Sequence, residues 1–367
     1  MLIFLLLLGC RGPEPSRRAA FAVFGTEVEV IVRAGRGIDV DGLFARLGAR
    51  LQVLHRELHP WEDGALMALN RALAEGRPHR TTATIADLLR RGRALERDSL
   101  GAYNPAIGDL VHLWGFHTSE YPIISPPPAP GEIEALLERR PSTDALNLQG
   151  VLVTPHSRAV RLDFSGLAKG WAAADLCAMI GAAGFSDALV NSGGDVMVCG
   201  ATETSWRVAI RDPAGGVLET REIDRPMAVF TSGNYYRYAE FEGERYAHIL
   251  DPATGFPVDA ILQATVIDPD PVRADAAATA LVVAGPARWR YEATVGAGLP
   301  VIQTLRDLVD SGDRVDCIEG IFSGTLAWLF NRFEPGMAFS DLVREAHAAG
   351  YTEPDPADDL SGLDVAR

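Results

Sequence analysis

The sequence predicts a mixed α/β fold of the α+β class, in a chain long enough for one large or two ordinary domains. Val40–Leu58 and residues 84–99 carry apolar side chains at helical spacing, whereas residues 21–32 alternate as a strand does. Predicted helices and strands interleave along the 367 residues without a strict β-α-β rhythm. This irregular order favours α+β over a doubly wound parallel sheet.

The other predicted elements are bounded by turn-forming residues. Helices are predicted at Ala65–Ala74, 132–139 and 274–284, with loops at 59–64 and 121–131. Strands are predicted at 146–161, Trp206–Arg211, 221–224, 227–231 and 235–246.

The segment 161–195 is the centre of the predicted fold. Val160, Leu162 and Phe164 alternate as in a strand, a helix follows over 167–180, and a second strand covers 188–190. Glycine turns allow close approach to a ligand, and a helix N-terminus attracts anions, so Lys169 in the first helical turn could reach a phosphate. The alternative is a surface lysine beside a packing glycine, and both interpretations stay open on this segment alone.

The composition and the first residues indicate which binding partners and which cellular location to expect for the protein. A formal net charge of -15 argues against a nucleic-acid surface. Residues 2–8 are an apolar run too short to span a bilayer, followed by Gly9 and Cys10 in a pattern resembling a lipobox. Residues 1–20 are therefore expected to be a signal peptide and linker, giving an exported, membrane-anchored lipoprotein lipidated at Cys10. The alternative is a buried N-terminal strand.

The four cysteines predict neither a disulfide framework nor a zinc site. They are Cys10, Cys177, Cys199 and Cys317, and no pair has CxxC spacing. Cys177 falls within the apolar predicted helix, so we expect it to be a core residue.

Two further segments place chemically active side chains at defined spacing. Asp275 and Thr279 lie four residues apart on one helix face, and a carboxylate with a hydroxyl suits Mg²⁺. Taken singly, a helix cap and a solvent hydroxyl explain them equally well. His248 stands just before the Asp-Pro and Thr-Gly turn residues of 251–255.

Together these segments resemble the ApbE family, the FAD:protein FMN transferases, over about residues 21–286. The motifs are D-F-S-G-L-A-K-G at 163–170, A-L-V-N-S-G-G-D at 188–195, T-S-G-N-Y at 231–235, H-I-L-D-P-A-T-G-F-P at 248–257 and A-D-A-A-A-T-A-L at 274–281. The resemblance implies cleavage of the FAD pyrophosphate, transfer of FMN to a Ser or Thr of a target protein, and release of AMP. It also implies an acceptor that is a membrane redox subunit.

The same resemblance implies roles for individual residues. The Mg²⁺ ligands of the family are matched by the Gly166 carbonyl and the side chains of Asp275 and Thr279. Asp275 is also expected to be catalytic. His248 matches the histidine that activates the acceptor hydroxyl. Flavin contacts are implied for Phe24, Trp61, Ala102, Tyr103, Asn104, Asp163, Lys169 and Ile249. Asn104 departs from the Asp that the family commonly has. Phosphoryl transfer by positioning and charge neutralisation agrees with these residue types.

Residues 291–367 resemble a different family, homoserine dehydrogenase. There Glu353, Asp359 and Asp364 match substrate-binding or catalytic carboxylates, and the backbone around Glu292, Val295, Ala297 and Leu299 matches a monovalent-cation loop. No GxGxxG dinucleotide-binding unit precedes this segment, and the sequence reaches Arg367 just before the lysine of the pattern. We therefore expect a transferase domain over 21–286 without its last elements, joined to a truncated, inactive α/β segment over 287–367. A non-catalytic flavin-binding lipoprotein or an inactive chimera is the alternative.

Overall fold

The computed structural model describes residues 16–33, 39–200, 204–285, 324–334, 336–352 and 356–361. The chain divides into two compact units, residues 1–287 and 288–367. Several residues named in the sequence analysis lie outside the described residues: Cys10, Cys317, the expected cation loop, Glu353, Asp364 and the side chain of Asp359. Within the described part, no helix is both long and apolar enough to cross a membrane.

A six-stranded sheet forms the centre of the first unit. All of its neighbouring strands pair antiparallel, which confirms the predicted mixed fold of the α+β class. In spatial order the strands are β1 (Ser16–Val23), β2 (Thr26–Arg33), β7 (Ala188–Ser192), β8 (Asp195–Cys199), β11 (Met227–Gly233) and β14 (Gln263–Asp268).

The two faces of this sheet bury alternate residues of the same strands. Val190 and Met197 belong to the larger core with Leu47 and Phe230, whereas their neighbours pack on the other face. The larger core is covered by helices α1 (Val40–Leu58), α6 (Ala168–Ala182) and α7 (Pro271–Ala284). The hairpin of β9 (Trp206–Arg211) and β10 (Val217–Ile223) covers the opposite face through Trp206, Val208 and Ile210. Alternation with a period of two therefore builds a three-layer unit.

The rest of the first unit is mainly helical and carries two small sheets. Its helices are α2 (Ala65–Ala74), α3 (Ala83–Asp98), α4 (Gly108–Leu113) and α5 (Pro130–Leu137). One small sheet joins β3 (His79–Arg80), β6 (Leu152–Pro155) and β5 (Leu146–Gln149), and the other joins β13 (Glu244–Ala247), β12 (Tyr238–Phe241) and β4 (Ile123–Ile124). A third core, which includes Leu110, Trp114, Ile133 and Leu250, packs α4 and α5 against the sheet of β13, β12 and β4.

Three expectations about local structure were wrong. Residues 160–164 form no strand, because Asn70 takes both Leu162 backbone groups at 2.8 and 2.9 Å and leaves one isolated bridge at Arg161. Residues 21–32 are two strands, because Phe24 and Gly25 both take positive φ and reverse the chain. The predicted loop 121–131 contains β4, and α5 begins at Pro130 within it.

The expectation that the cysteines form no disulfide is also wrong for one pair. Cys177 of α6 and Cys199 of β8 are disulfide-bonded, with Cα atoms 5.3 Å apart. They stand 22 residues apart in sequence without a recognisable spacing motif. The packing of α6 against β8 brings them together, and that contact is invisible in the spacing of cysteines.

The second unit is described as three helices, α8 (Gly324–Arg332), α9 (Phe339–Ala348) and α10 (Pro356–Ser361). Its small core contains Leu329, Leu342 and Ala346. Residues 318–330 carry apolar side chains at helical spacing, and their described part, from Gly324 onward, lies in α8. Residues 301–309 have the same spacing and lie outside the described residues.

Candidate active site

The first turn of α6 places Lys169 between two buried carboxylates. Its ammonium group pairs with Asp195, the first residue of β8, whose other oxygen accepts the Thr231 N–H at 2.8 Å. On the same turn, the Gly170 N–H donates to Asp275 Oδ2 at 2.9 Å. Asp195 and Asp275 are 3% and 4% exposed. One helix start therefore organises a lysine and two carboxylates from three separate elements.

The ionisation of this cluster follows from burial and mutual charge. Burial raises the pKa of Asp275 to about 7, with Asp195 adding to the rise and Lys169 opposing it. Burial lowers the pKa of Lys169, but the charges of Asp195 and Asp275 outweigh burial, and the net shift is upward. Lys169 therefore stays charged at neutral pH, while Asp275 holds its negative charge at an energetic disadvantage. A cation beside Asp275 would relieve that disadvantage.

Oxygen atoms that could bind a divalent cation lie one helical turn from Asp275, where the Thr279 hydroxyl is 3.5 Å from the Asp275 backbone carbonyl. Thr279 follows it by one helical turn, and the Thr279 hydroxyl lies 3.0 Å from that of Ser232 on β11. A Cβ atom on Gly166 would lie 3.5 Å from Thr279 Oγ1, so the Gly166 backbone runs beside the same hydroxyl. A carboxylate, a hydroxyl and a nearby backbone fit Mg²⁺, which completes its shell with water and phosphate. Among the described residues, no group of three or more His, Cys, Asp or Glu forms a metal site by itself.

Asp163 is fixed by a histidine that the sequence analysis missed. His117 Nε2 lies 3.0 Å from Asp163 Oδ2, and the His117 side chain is only 4% exposed. The Ser165 N–H donates to Asp163 Oδ1 at 2.8 Å. Burial raises the pKa of Asp163, but its contacts with His117 and Ser165 outweigh burial and lower it overall. Asp163 is therefore a buried acceptor that remains ionised.

An aromatic row leads from His117 to Phe24. Trp61 stacks on His117 with ring centroids 5.5 Å apart, and His59 and His55 continue the row at 4.5 and 5.2 Å. Phe24 closes it, with its N–H donating to His55 Nδ1 at 3.3 Å. Phe24 and Trp61, both predicted to pack on a flavin, thus belong to one row of ring contacts, with Phe24 at one end and Trp61 beside His117 at the other. Burial and the neighbouring imidazoles keep the pKa of His59 below its usual value.

The three residues of segment 102–104, all predicted to contact the flavin, differ in how free their side chains are to bind a ligand. The Tyr103 hydroxyl is buried without a hydrogen-bond partner among the described residues, and its ring would lie 3.1 Å from a Cβ on Gly166. Burial and the charges of Asp275 and Asp163 raise the Tyr103 pKa well above its usual value. Asn104 is occupied by its own turn, since it donates to the Pro141 carbonyl and accepts the Ala106 N–H. Ala102 is buried beside them.

His248 stands near the lysine cluster and is half-buried. Its Nδ1 lies 3.2 Å from the Arg237 carbonyl, while burial and the charges of Arg237 and Lys169 lower its pKa to about 4. The imidazole is therefore neutral at pH 7 and able to accept a proton. Ile249 beside it is buried. Arg237, which the sequence analysis missed, also lies 3.5 Å from the Gly25 carbonyl, next to Phe24.

Fold and site together define an α+β protein in which a lysine, two carboxylates and hydroxyl oxygens converge at the start of α6. The chain belongs to the ApbE family, whose model matches residues 24–301. It is 37% identical over 326 residues to the FAD:protein FMN transferase of Rhodobacter capsulatus, covering 84% of this chain and 60% of that protein. The flavinyl transferase ApbE of Pseudomonas stutzeri, in its apo form, has a similar structure with a TM-score of 0.66 and 29% identity, covering 75% of this chain and 86% of that one.

The end of the chain matches a second family. The homoserine dehydrogenase model covers residues 300–367. A bifunctional aspartokinase/homoserine dehydrogenase of Zea mays is 70% identical over 77 residues, which is 21% of this chain and 8% of that protein. Both resemblances seen in the sequence are confirmed, although the first match extends to 301 rather than 286 and the second begins at 300 rather than 291.

Proposed function

We propose that the protein is a Mg²⁺-dependent FAD:protein FMN transferase that modifies a Ser or Thr of a target protein. Membership of the ApbE family and the names of the Rhodobacter and Pseudomonas relatives support the proposal. The single observation that carries it is the buried Asp275 carboxylate, held against the start of α6 beside Lys169 and Thr279.

In the proposed reaction, the acceptor hydroxyl oxygen attacks the flavin-side phosphorus of FAD. The bond from that phosphorus to the bridging oxygen breaks, a phosphoester to the acceptor forms, and AMP leaves with the bridging electrons. Neutral His248 accepts the hydroxyl proton. Lys169 stabilises charge on the phosphate oxygens, and the aromatic row with Asp163 positions the flavin. Asp275, Thr279 and the Gly166 carbonyl would hold Mg²⁺, which neutralises phosphate charge when bound.

Covalent labelling tests the proposal. The protein is incubated with FAD, Mg²⁺ and a flavin-acceptor domain, and the acceptor is examined for flavin fluorescence after denaturing electrophoresis. Asp275→Ala is expected to abolish labelling, whereas the control Asp224→Ala changes an exposed aspartate of the same unit and leaves it intact. Absence of label from wild-type protein that binds FAD would sink the proposed activity.

The acceptor and the location belong to the same proposal. A membrane redox subunit bearing a Ser or Thr acceptor suits an exported lipoprotein anchored through Cys10. The Cys177–Cys199 disulfide supports export, because disulfides persist in oxidising compartments. Cell fractionation after metabolic lipid labelling is the test. Wild-type protein should carry the lipid and sediment with membranes, and Cys10→Ser should do neither. A soluble, unlabelled wild-type protein would contradict the proposed anchor.

A further inference from the structure

A cavity lined by four arginines lies beside the candidate active site. Its volume is about 350 Å³, and it is bounded by α2, α4 and residues 158–161. The arginines that line it are Arg71, Arg139, Arg158 and Arg161. Asp109 is the one acidic residue among the described residues that line this cavity. In a chain with a formal net charge of -15, four guanidinium groups around one carboxylate form a locally positive site.

The cavity's positive charge is incompletely paired within the protein. Asp109 lies 3.9 Å from both Arg139 and Arg161, at the limit of an ion pair, and Arg71 is paired with Asp63 at 2.8 Å. No carboxylate of the described residues lies within ion-pair distance of Arg158. The Nε atom of Arg161 is buried and has no hydrogen-bond partner in the described part of the chain. A buried guanidinium donor without a partner is costly unless a ligand satisfies it.

One histidine separates this cavity from the Asp163 contact. Arg161 Nη2 lies 3.5 Å from His117 Nδ1, and the opposite ring nitrogen of His117 contacts Asp163. Lys169 and Asp275 do not line the cavity. The cavity is thus a neighbour of the candidate active site, built from different side chains.

We propose that the arginine-lined cavity binds a phosphate-type oxyanion, either inorganic phosphate or the phosphate of a monoester. Guanidinium groups donate paired hydrogen bonds to tetrahedral oxyanions and cannot lose their charge at neutral pH. The cavity volume accommodates a small anion. Arg161 Nε, which has no hydrogen-bond partner among the described residues, and Arg158, which has no described carboxylate within ion-pair distance, supply hydrogen-bond donors for that anion. This inference goes beyond the proposed transfer reaction, because binding requires neither FAD nor Mg²⁺.

Isothermal titration of the full chain with inorganic phosphate at low ionic strength tests the inference. The double variant Arg139→Gln/Arg158→Gln removes two exposed guanidinium groups, so the fold should survive, as circular dichroism can verify. Arg46→Gln, at an exposed position on α1, is the matched control. Lys169→Met tests whether phosphate binds at the active site instead. A parallel titration with AMP distinguishes a monoester from the free anion.

Wild-type protein, Arg46→Gln and Lys169→Met are expected to bind phosphate, and the double variant to bind about tenfold more weakly or worse. Binding of AMP with the same dependence on arginine would identify a monoester site, and binding of phosphate alone would identify a free-anion site. Either result supports the inference. Absence of saturable binding to wild-type protein would overturn it, as would binding that survives in the double variant and disappears in Lys169→Met. Neither outcome depends on FMN transfer.

Discussion

Asp195 fixes Lys169 at the start of α6, where the helix dipole alone disfavours a cation. Asp195→Asn should therefore lower the free energy of unfolding by about 2 kcal/mol, the scale of a hydrogen bond to a charged group. Denaturant titration measures this loss. In a Lys169→Met background the same substitution should be much less destabilising, because the ammonium group that it strands is absent. Equal losses in the two backgrounds would contradict the pairing.

His248 should make stability depend on pH. Its pKa is lowered to about 4 in the folded protein and is near 6.5 when unfolded, so the unfolded chain binds the extra proton between these values. Stability is therefore lost as pH falls from about 6.5 toward 4. His248→Gln should flatten this decline when guanidinium unfolding is compared at several pH values. His59 and His112, whose pKa values are also lowered, should leave a residual slope.

A site residue could be predicted when it stands in a sequence motif, but not when only a tertiary contact brings it to the site. Asp163, Lys169, Asp275 and Thr279 stand in sequence motifs, and the structure brings the last three together. His117 contacts Asp163 although the two residues are 46 positions apart in sequence, and the loop that contains His117 has no periodic pattern. In the sequence, His117 could have been noticed only as a histidine without an assigned role that follows the predicted flavin contacts at 102–104.

Gly170 allows α6 and α7 to approach at the point where they hold the candidate cation site. A Cβ there would lie 2.2 Å from the Pro271 carbonyl oxygen and 2.9 Å from Val272 Cα. Gly170→Ala should therefore destabilise the protein by about 3 kcal/mol, as overpacking does, and weaken Mg²⁺ binding by displacing the helix start from Asp275. Denaturant unfolding and metal titration measure the two effects.

Gly181 on the same helix is the matched control. A Cβ there meets nothing within 4 Å, so Gly181→Ala should stabilise the protein by up to about 1 kcal/mol through helix propensity. If both substitutions had the same effect, the close approach of α6 to α7 would be contradicted.

The disulfide joins α6 to β8, the elements that carry Lys169 and Asp195. Removing it by Cys177→Ala/Cys199→Ala should lower the free energy of unfolding by about 3 kcal/mol, because the unfolded chain loses a loop constraint of 22 residues. Denaturant unfolding with and without reductant measures this. Reductant should destabilise wild-type protein and leave the double variant unchanged. Insensitivity of the wild type would contradict the bond.

Helices and strands could be predicted from the sequence when the spacing of apolar residues alone determined the structure. Val40–Leu58 and Ala65–Ala74 match the predicted helices at both ends, since their apolar spacing coincides with the buried face. Residues 160–164 alternate equally well but form no ladder, because the side chain of Asn70 takes the place of a neighbouring strand. Competition of this kind cannot be read from a local pattern.

At the scale of the whole molecule, two family matches meet near residue 300. If the transferase is self-sufficient, a chain ending at residue 301 should bind FAD and transfer FMN as well as the full chain. Limited proteolysis of the full chain should release an FAD-binding fragment cut near 286–290 or beyond. Loss of transfer on truncation, or equal protease resistance throughout, would show that the segment matching homoserine dehydrogenase supports the transferase.

FMN transfer from FAD yields two products, AMP and covalently bound flavin, which one reaction can measure together. Wild-type protein, FAD, Mg²⁺ and an acceptor are combined, and AMP and covalently bound flavin are quantified over time, with Asp275→Ala and a chelator as controls. Wild-type protein is expected to yield equal amounts of AMP and covalent flavin, and neither product is expected from the variant or after chelation. Tight binding of FAD with neither product would contradict the proposed FMN transfer and identify the protein as a non-catalytic flavin-binding protein.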